Sequence, residues 1–536
     1  MALRDPSPPT TGLRKWGSLL VLSLALAIVI IDTTLLNVSL ETLIRELNTT
    51  LQSLQWVISA YSLTLAALTV TGGRLGDLFG RKRMFKLGAI LFAVGSFIAS
   101  ISQSVPTLIL GESIIEGIGA AMMMPATASL LMAKYRGHDR AIAFGIWGGV
   151  AAAASAIGPI LGGFLTTHFS WRWGFRINVG VVAILLLGSV VIGDEPVTGR
   201  KTIDWLGVLL SAVGLLSIVF GIIESSSYGW IHATRPFVIP LGGLSFVPFA
   251  ILFGILILAV FAWWEVRVER RGGTPIVSMK IFRNRTFVAG ASVTGTMMLA
   301  QNGIIFSLPV FLQSVRNLDA FHTGLTLLPM PALLFVVSPS AAVLSKKIPA
   351  KRLVQAGLIV NVVALLALYG ALGVNTPLVY LIPGLALYGI GLGLVLSQIN
   401  NLTLSSVAVE EAGEASGVTN TFRQIGSALG AAILGAVLLT SIMGSLEEAV
   451  ASSPRIPGPD KPRIETTLRR QASNLAFGGE ALFDQLPPGT RGEMSEARRA
   501  ATVEGNRKAL LYGAGFVLLG LLVSTRLPLR AADVKR

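Results

Sequence analysis

Fourteen apolar stretches, each long enough to cross a bilayer as a helix, recur along the 536 residues of this chain. A helix needs about 20 apolar residues to span the hydrocarbon core. The stretches predict spans near 16–40, 54–73, 84–103, 107–133, 141–166, 174–193, 204–224 and 238–264, then 286–313, 322–345, 351–371, 376–404, 415–443 and 507–526. Hydrophobic residues make up 52% of the chain and charged residues 13%, too little charge to cover a soluble surface of this length. The expected fold is all-α and polytopic. The first stretch is not read as a cleavable signal peptide, because it is too long, lacks a small-x-small site and carries Asp32.

The charges give the direction. Lys and Arg gather in alternate loops: Arg14 and Lys15, Arg81-Lys82-Arg83, Lys134 and Arg136, Arg267, Arg270 and Arg271, then Lys346, Lys347, Lys351 and Arg352. The opposite short loops carry Arg45, Arg172, Arg235 and Arg316. By the positive-inside rule the first set is cytoplasmic, which puts both termini in the cytoplasm. The same distribution argues against a nucleic-acid partner, despite a net charge of +15. The chain has no cysteine, and His138, His168, His232 and His322 stand singly. Disulfides and thiol chemistry are excluded, and no metal site is expected. No ATP-binding motif is visible and no cofactor is expected.

The organisation reads as six, two and six spans. Residues 1–193 form one six-helix bundle, 194–285 carry the inserted spans 7 and 8, and 286–536 form a second bundle. Span 2 ends in GGRLGDLFGRKR and span 10 in AAVLSKKIPAKR, both with a basic cluster at the inner end of the second helix of a half. Such weak similarity is the mark of repeated halves. A long polar loop at 445–505, placed outside, is expected to hold one or two short helices after its Pro-rich run.

Three motifs lie on this frame. Gly73 to Lys82 reads G-x-L-x-D-x-x-G-R-K. Its glycines permit a tight inner loop and close helix approach, and Asp77 suits a helix N-terminus or a neighbouring Arg. Span 5 carries Ala154, Gly158, Pro159, Gly162 and Gly163, a kinked and closely packed helix. Span 1 carries Asp32 in D-x-T-x-x-N, about 12 Å from the outer helix end. A carboxylate there is costly and marks a proton or substrate pathway.

The first motif resembles the inner-loop signature of the major facilitator superfamily, and the second its antiporter signature, with Ala154 in place of the first glycine. D-x-T-x-x-N, FSWRWGFRINV before span 6, DWLGVLLSAVGLL in span 7 and EASGVTNTFRQIGSALGAAILG entering span 13 resemble the fourteen-span drug:proton antiporter family. The resemblance covers nearly the whole chain. It implies two pseudo-symmetric six-helix bundles and a cytoplasmic gate built from Gly73, Asp77, Gly80 and Arg81, with Arg140 and Arg423 as further gate residues. Arg423 is expected to pair with Asp77 or with Glu410, Glu411 and Glu414.

Span 4 departs from the family pattern. Where R-x-x-Q-G is expected, the chain reads GESIIEGIGAA, with Ser113 at the Arg position and Glu116 at the Gln position. Glu112 lies about 7 Å from the outer face, Glu116 about 13 Å and Arg176 of span 6 about 5 Å. Glu112 and Glu116 share a helix face. The expectation is that Asp32 and Glu116 form the proton-carrying pair and that Arg176 holds Glu112. The function expected is proton-coupled export of amphipathic or cationic drugs by alternating access, from a monomer in the bacterial cytoplasmic membrane. Its partners are the drug-like substrate, protons and the bilayer. The alternatives are a dedicated exporter of an endogenous lipid, siderophore or antibiotic, and a non-transporting sensor or scaffold.

Overall fold

A computed structural model describes residues 13–193, 204–233, 242–453 and 488–529, apart from 40, 41, 44, 45, 50, 274, 319, 409 and 410, together with 456, 461 and 464. Among the described residues, fourteen helices are long and apolar enough to cross a membrane. They are α1 (Leu13–Val38), α2 (Leu51–Phe79), α3 (Arg81–Ser100), α4 (Val105–Lys134), α5 (Gly137–His168), α6 (Arg172–Gly188) and α7 (Trp205–Tyr228). The series continues with α8 (Val247–Arg270), α9 (Arg285–Ser314), α10 (His322–Leu344), α11 (Ala350–Ala371), α12 (Leu381–Leu404), α13 (Ala412–Ser452) and α14 (Pro488–Ser524). The chain is an all-helical polytopic membrane protein.

Two compact units emerge. The first holds residues 1–212, 261–281 and 407–420, and the second holds 213–260, 282–406 and 421–536. In the first, α1 packs on α5 and α6, and α4 packs on α2 and α3. The end of the unit opposite the Gly80 turn closes over Leu36, Leu43, Leu54, Val57, Ala99, Leu108, Trp171 and Phe175. Glu46 ties that end together by accepting from Trp171 Nε1 at 2.9 Å and from Arg172 at 2.7 Å. In the second unit, α12 packs on α10 and α11, and α14 on α9 and α11.

The boundaries differ from the sequence reading in two informative places. Span 2 runs on to Phe79, so most of the glycine motif is helical. The turn between α2 and α3 is Gly80 alone, at φ 105°, a backbone conformation that L side chains rarely adopt. Elsewhere, α13 and α14 extend into the expected loop at 445–505. Leu446, Val450 and Met494 continue an apolar seam with Leu438, Ile442, Ile456 and Val310, and burial of that seam holds the added turns in helix. Most of the loop between them, including its expected short helices, lies outside the described residues.

Candidate functional site

A polar cluster sits within the first unit, where its helices are otherwise apolar. Asp32 comes from α1, Ser96 from α3, Glu112, Ser113 and Glu116 from α4, and Asn178 from α6. All six are buried, with Glu116 at 0% exposure and Asp32 at 3%. The hub is Asn178. Its Nδ2 lies 2.7 Å from Asp32 Oδ1, 3.2 Å from Ser96 Oγ and 3.3 Å from Glu116 Oε1. An amide nitrogen has two hydrogens, so these three acceptors share them.

The structure brings Asp32 and Glu116 together. Both carboxyls bond to the same Asn178 amide, while among the described residues Asp32 Oδ2 and Glu116 Oε2 have no donor. A contact between two carboxyls becomes a hydrogen bond only when one of them holds a proton. Glu112 has similar chemistry. Ser113 Oγ lies 2.7 Å from both Val57 O and Glu112 Oε2, and its single hydrogen serves one of them at a time. When it goes to Val57, Glu112 bonds to Ser113 only as the protonated acid. Tyr61 of α2, also buried, has its hydroxyl unpartnered and lies close enough to interact with all three acids.

Local structure fixes these positions. In α4 the stretch Ile109–Glu116 is π-helical, a wider coil that recurs at functional sites. It carries Glu112, Ser113 and Glu116 together. Gly95 of α3 faces Gly111 and Glu116 so closely that a Cβ at Gly95 would collide with their backbones. The span 5 motif packs on the other side of Asp32, where Gly158 meets Thr34 of α1 and Gly162 meets Leu35. Ala154 is buried on the same helix, and Pro159 and Gly163 lie within it.

Arg176 does not hold Glu112. It is exposed on α6, with its guanidinium 5.2 Å from the ring centre of Trp173, and among the described residues no cation pairs with Asp32, Glu112 or Glu116. The reason is helical phase, since Asn178, two residues on, takes the inward direction and turns Arg176 away. Asn178 escaped the sequence reading because a neutral amide raises no alarm in a segment chosen for its charges. Its signal was a lone polar side chain within an apolar span.

The inner-loop motif forms a second polar site in the first unit. Asp77 Oδ1 accepts from Arg81 Nε and Nη2, each at 3.0 Å, and its Oδ2 accepts from the backbone N–H of Glu414 at 3.0 Å. A further bond comes from Gly413 N at 3.3 Å. Asp77 thus caps the head of α13, where the helix dipole favours negative charge, and Gly73 leaves room for Gly413 to lie against it. Glu414 in turn accepts from Ser278 N–H and lies 3.9 Å from Arg74. Glu265 of α8 accepts from Val277 N–H at 3.3 Å. Together these two acids clamp the buried segment Ile276–Ser278. Two expected gate residues stand apart. Arg140 lies half-buried near the start of α5 with its Nε unpartnered. Among the described residues Arg423 makes no ion pair or hydrogen bond. Glu410 lies outside the described residues.

The sequence profile of the Major Facilitator Superfamily matches residues 22–431. The chain belongs to that superfamily. It is 31% identical over 443 residues to the puromycin resistance protein pur8 of Streptomyces alboniger, covering 81% of this chain and 83% of that one. It is 28% identical over 524 residues to the tetracenomycin C resistance and export protein of Streptomyces glaucescens, covering 96% and 92%. Among solved structures, the human organic anion transporter MFSD10 (TETRAN) shares the fold, with a TM-score of 0.58, 12% identity and coverage of 97% and 100%. This superfamily member is therefore a multi-pass transporter whose relatives are drug and antibiotic resistance exporters. Among the described residues no group of acids or histidines has the arrangement of a metal site.

Proposed function

We propose that the transporter is a proton-coupled antiporter that exports amphipathic or cationic drugs across the bacterial cytoplasmic membrane by alternating access. It works as a monomer with both termini in the cytoplasm and draws on the proton gradient rather than on a cofactor. The carrying observation is the contact between Asp32 and Glu116 through Asn178. Two buried carboxyls within reach of each other, with no cation beside them among the described residues, share a proton more readily than they bear two charges. Loading that proton lets the site close, and losing it to the cytoplasm resets the carrier. Glu112 is a further proton-accepting group one helical turn away, and Arg176 has no part in the exchange.

The six–two–six division at 1–193, 194–285 and 286–536 supplies the two bundles, with the inserted spans between them. Gly73, Asp77, Gly80 and Arg81 form the inner latch, which holds the head of α13 by charge-assisted bonds worth roughly 1.5–3 kcal/mol each. Arg140 guards the same inner end. Ala154, Gly158, Pro159, Gly162 and Gly163 keep α5 close to α1, so that the Asp32 segment moves with it.

The test is drug-driven proton release from proteoliposomes. Glu116→Gln and Asp32→Asn are expected to reduce release to background while still binding the drug. Undiminished release from Glu116→Gln would remove Glu116 from the mechanism. A second reading, export of one endogenous antibiotic, draws on relatives named for single compounds. Loss of one secreted product on gene deletion, without sensitivity to a dye panel, favours it.

A further inference from the structure

Arg423 is a cation within a span that the transport scheme leaves unused. It lies eleven residues past Ala412 in α13, about 16 Å along the helix and well inside the span. It is half-buried there. Its Nε has no partner. No ion pair or hydrogen bond to it occurs within the described residues.

A charge within a membrane helix is costly, and it normally pairs with an acid, bonds to carbonyls or faces a cavity that serves transport. Arg423 has neither of the first two. Nor is it free to leave, because its helix is locked. Gly426 and Gly430 of α13 lie directly on the backbones of Gly295 and Leu299 of α9, where a Cβ would collide. Gln424 follows it, and Ser427 lies one turn on along the same face, both half-buried. The result is a short polar stripe centred on a planar fork of five donors. That fork matches the two oxygens of a carboxylate, which a lysine ammonium does not.

We infer that Arg423 is the recognition point for an acidic group, a carboxylate or an ionised phenol, on the exported molecule. This rests on the exporter reading and narrows it. The favoured cargo is an amphipathic anion or zwitterion rather than a simple lipophilic cation. Substrate charge and proton charge are then handled by residues of different compact units, with Arg423 in the second and Asp32 and Glu116 in the first.

Fluorescein, which carries a carboxylate and a phenolate, and ethidium, a cation, separate the possibilities. Both are followed in proteoliposomes with an imposed pH gradient, and fluorescein binding to the purified protein is followed by anisotropy. The wild type is expected to bind and move fluorescein. Arg423→Gln should weaken fluorescein binding and slow its transport by ~10-fold or more, as loss of a charge-assisted pair implies, while ethidium transport stays within about twofold. Arg423→Lys should fall between, since it keeps the charge without the fork. Equal loss of both dyes in Arg423→Gln makes Arg423 part of the conformational cycle and overturns the assignment. So does fluorescein transport unchanged by the substitution, or a wild type that moves ethidium alone. A wild type that moves neither dye removes the exporter reading, and this assignment with it.

Discussion

Asn178 gives the first unit its chemistry because one amide serves oxygens from three other helices. Replacing it by Leu keeps the volume and removes the donors, leaving Asp32 Oδ1 and Glu116 Oε1 buried without them. Hydrogen bonds to charged groups are worth about 1.5–3 kcal/mol, enough to change how the pair exchanges its proton without unfolding a protein of this size. The expected outcome is a drop of ~10-fold or more in pH-driven drug efflux, following that energy. Drug counterflow without a pH gradient should be retained. Loss of both in parallel would show that Asn178 only holds the helices together. The residue scale is also where sequence reading was weakest. Asp32, Glu112 and Glu116 were legible because buried charge is rare. The direction of Arg176 was not, because a helix of mixed polarity does not declare which polar side chain turns inward.

At the scale of helices, contact is made through absent side chains. Gly158 of α5 lies against Thr34 of α1, two residues past Asp32. Gly158→Val would drive branched carbons into that seam and separate the helices. Overpacking of this kind costs about 1–3 kcal/mol. Drug efflux should fall with little loss of protein in the membrane, as read by transport and by quantified purified yield. The clamp on Ile276–Ser278 gives a second prediction. Glu265→Ala leaves Val277 N–H buried without its acceptor, a cost of about 1–3 kcal/mol. Faster backbone hydrogen exchange at residues 276–278 is expected, and unchanged exchange would show that Glu265 does not secure the segment. Sequence periodicity found α8 but ended it at 264. Both Glu265 and its partners therefore looked like ordinary loop polarity, although Glu265 is 1% exposed.

Across the whole molecule, fourteen helices and superfamily membership were legible, because the cost of exposing polar backbone to lipid writes each span into the sequence as an apolar run. The extensions of α13 and α14 were not, since their apolar seam is spread thinly among charges and only its burial against Val310 and Ile456 reveals it. The acid cluster has a consequence at this scale as well. With no cation beside Asp32, Glu112 and Glu116 among the described residues, nothing there offsets their charge except bound protons. Every proton gained or lost changes the site by one full charge inside the membrane field, and moving one charge across 100 mV is worth about 2.3 kcal/mol. Drug efflux at equal pH on both sides should therefore respond to an imposed potassium diffusion potential, and a rate that ignores voltage would mean that the cycle moves no net charge. A response would mean that the protons carried by the acid cluster cross the membrane field as net charge.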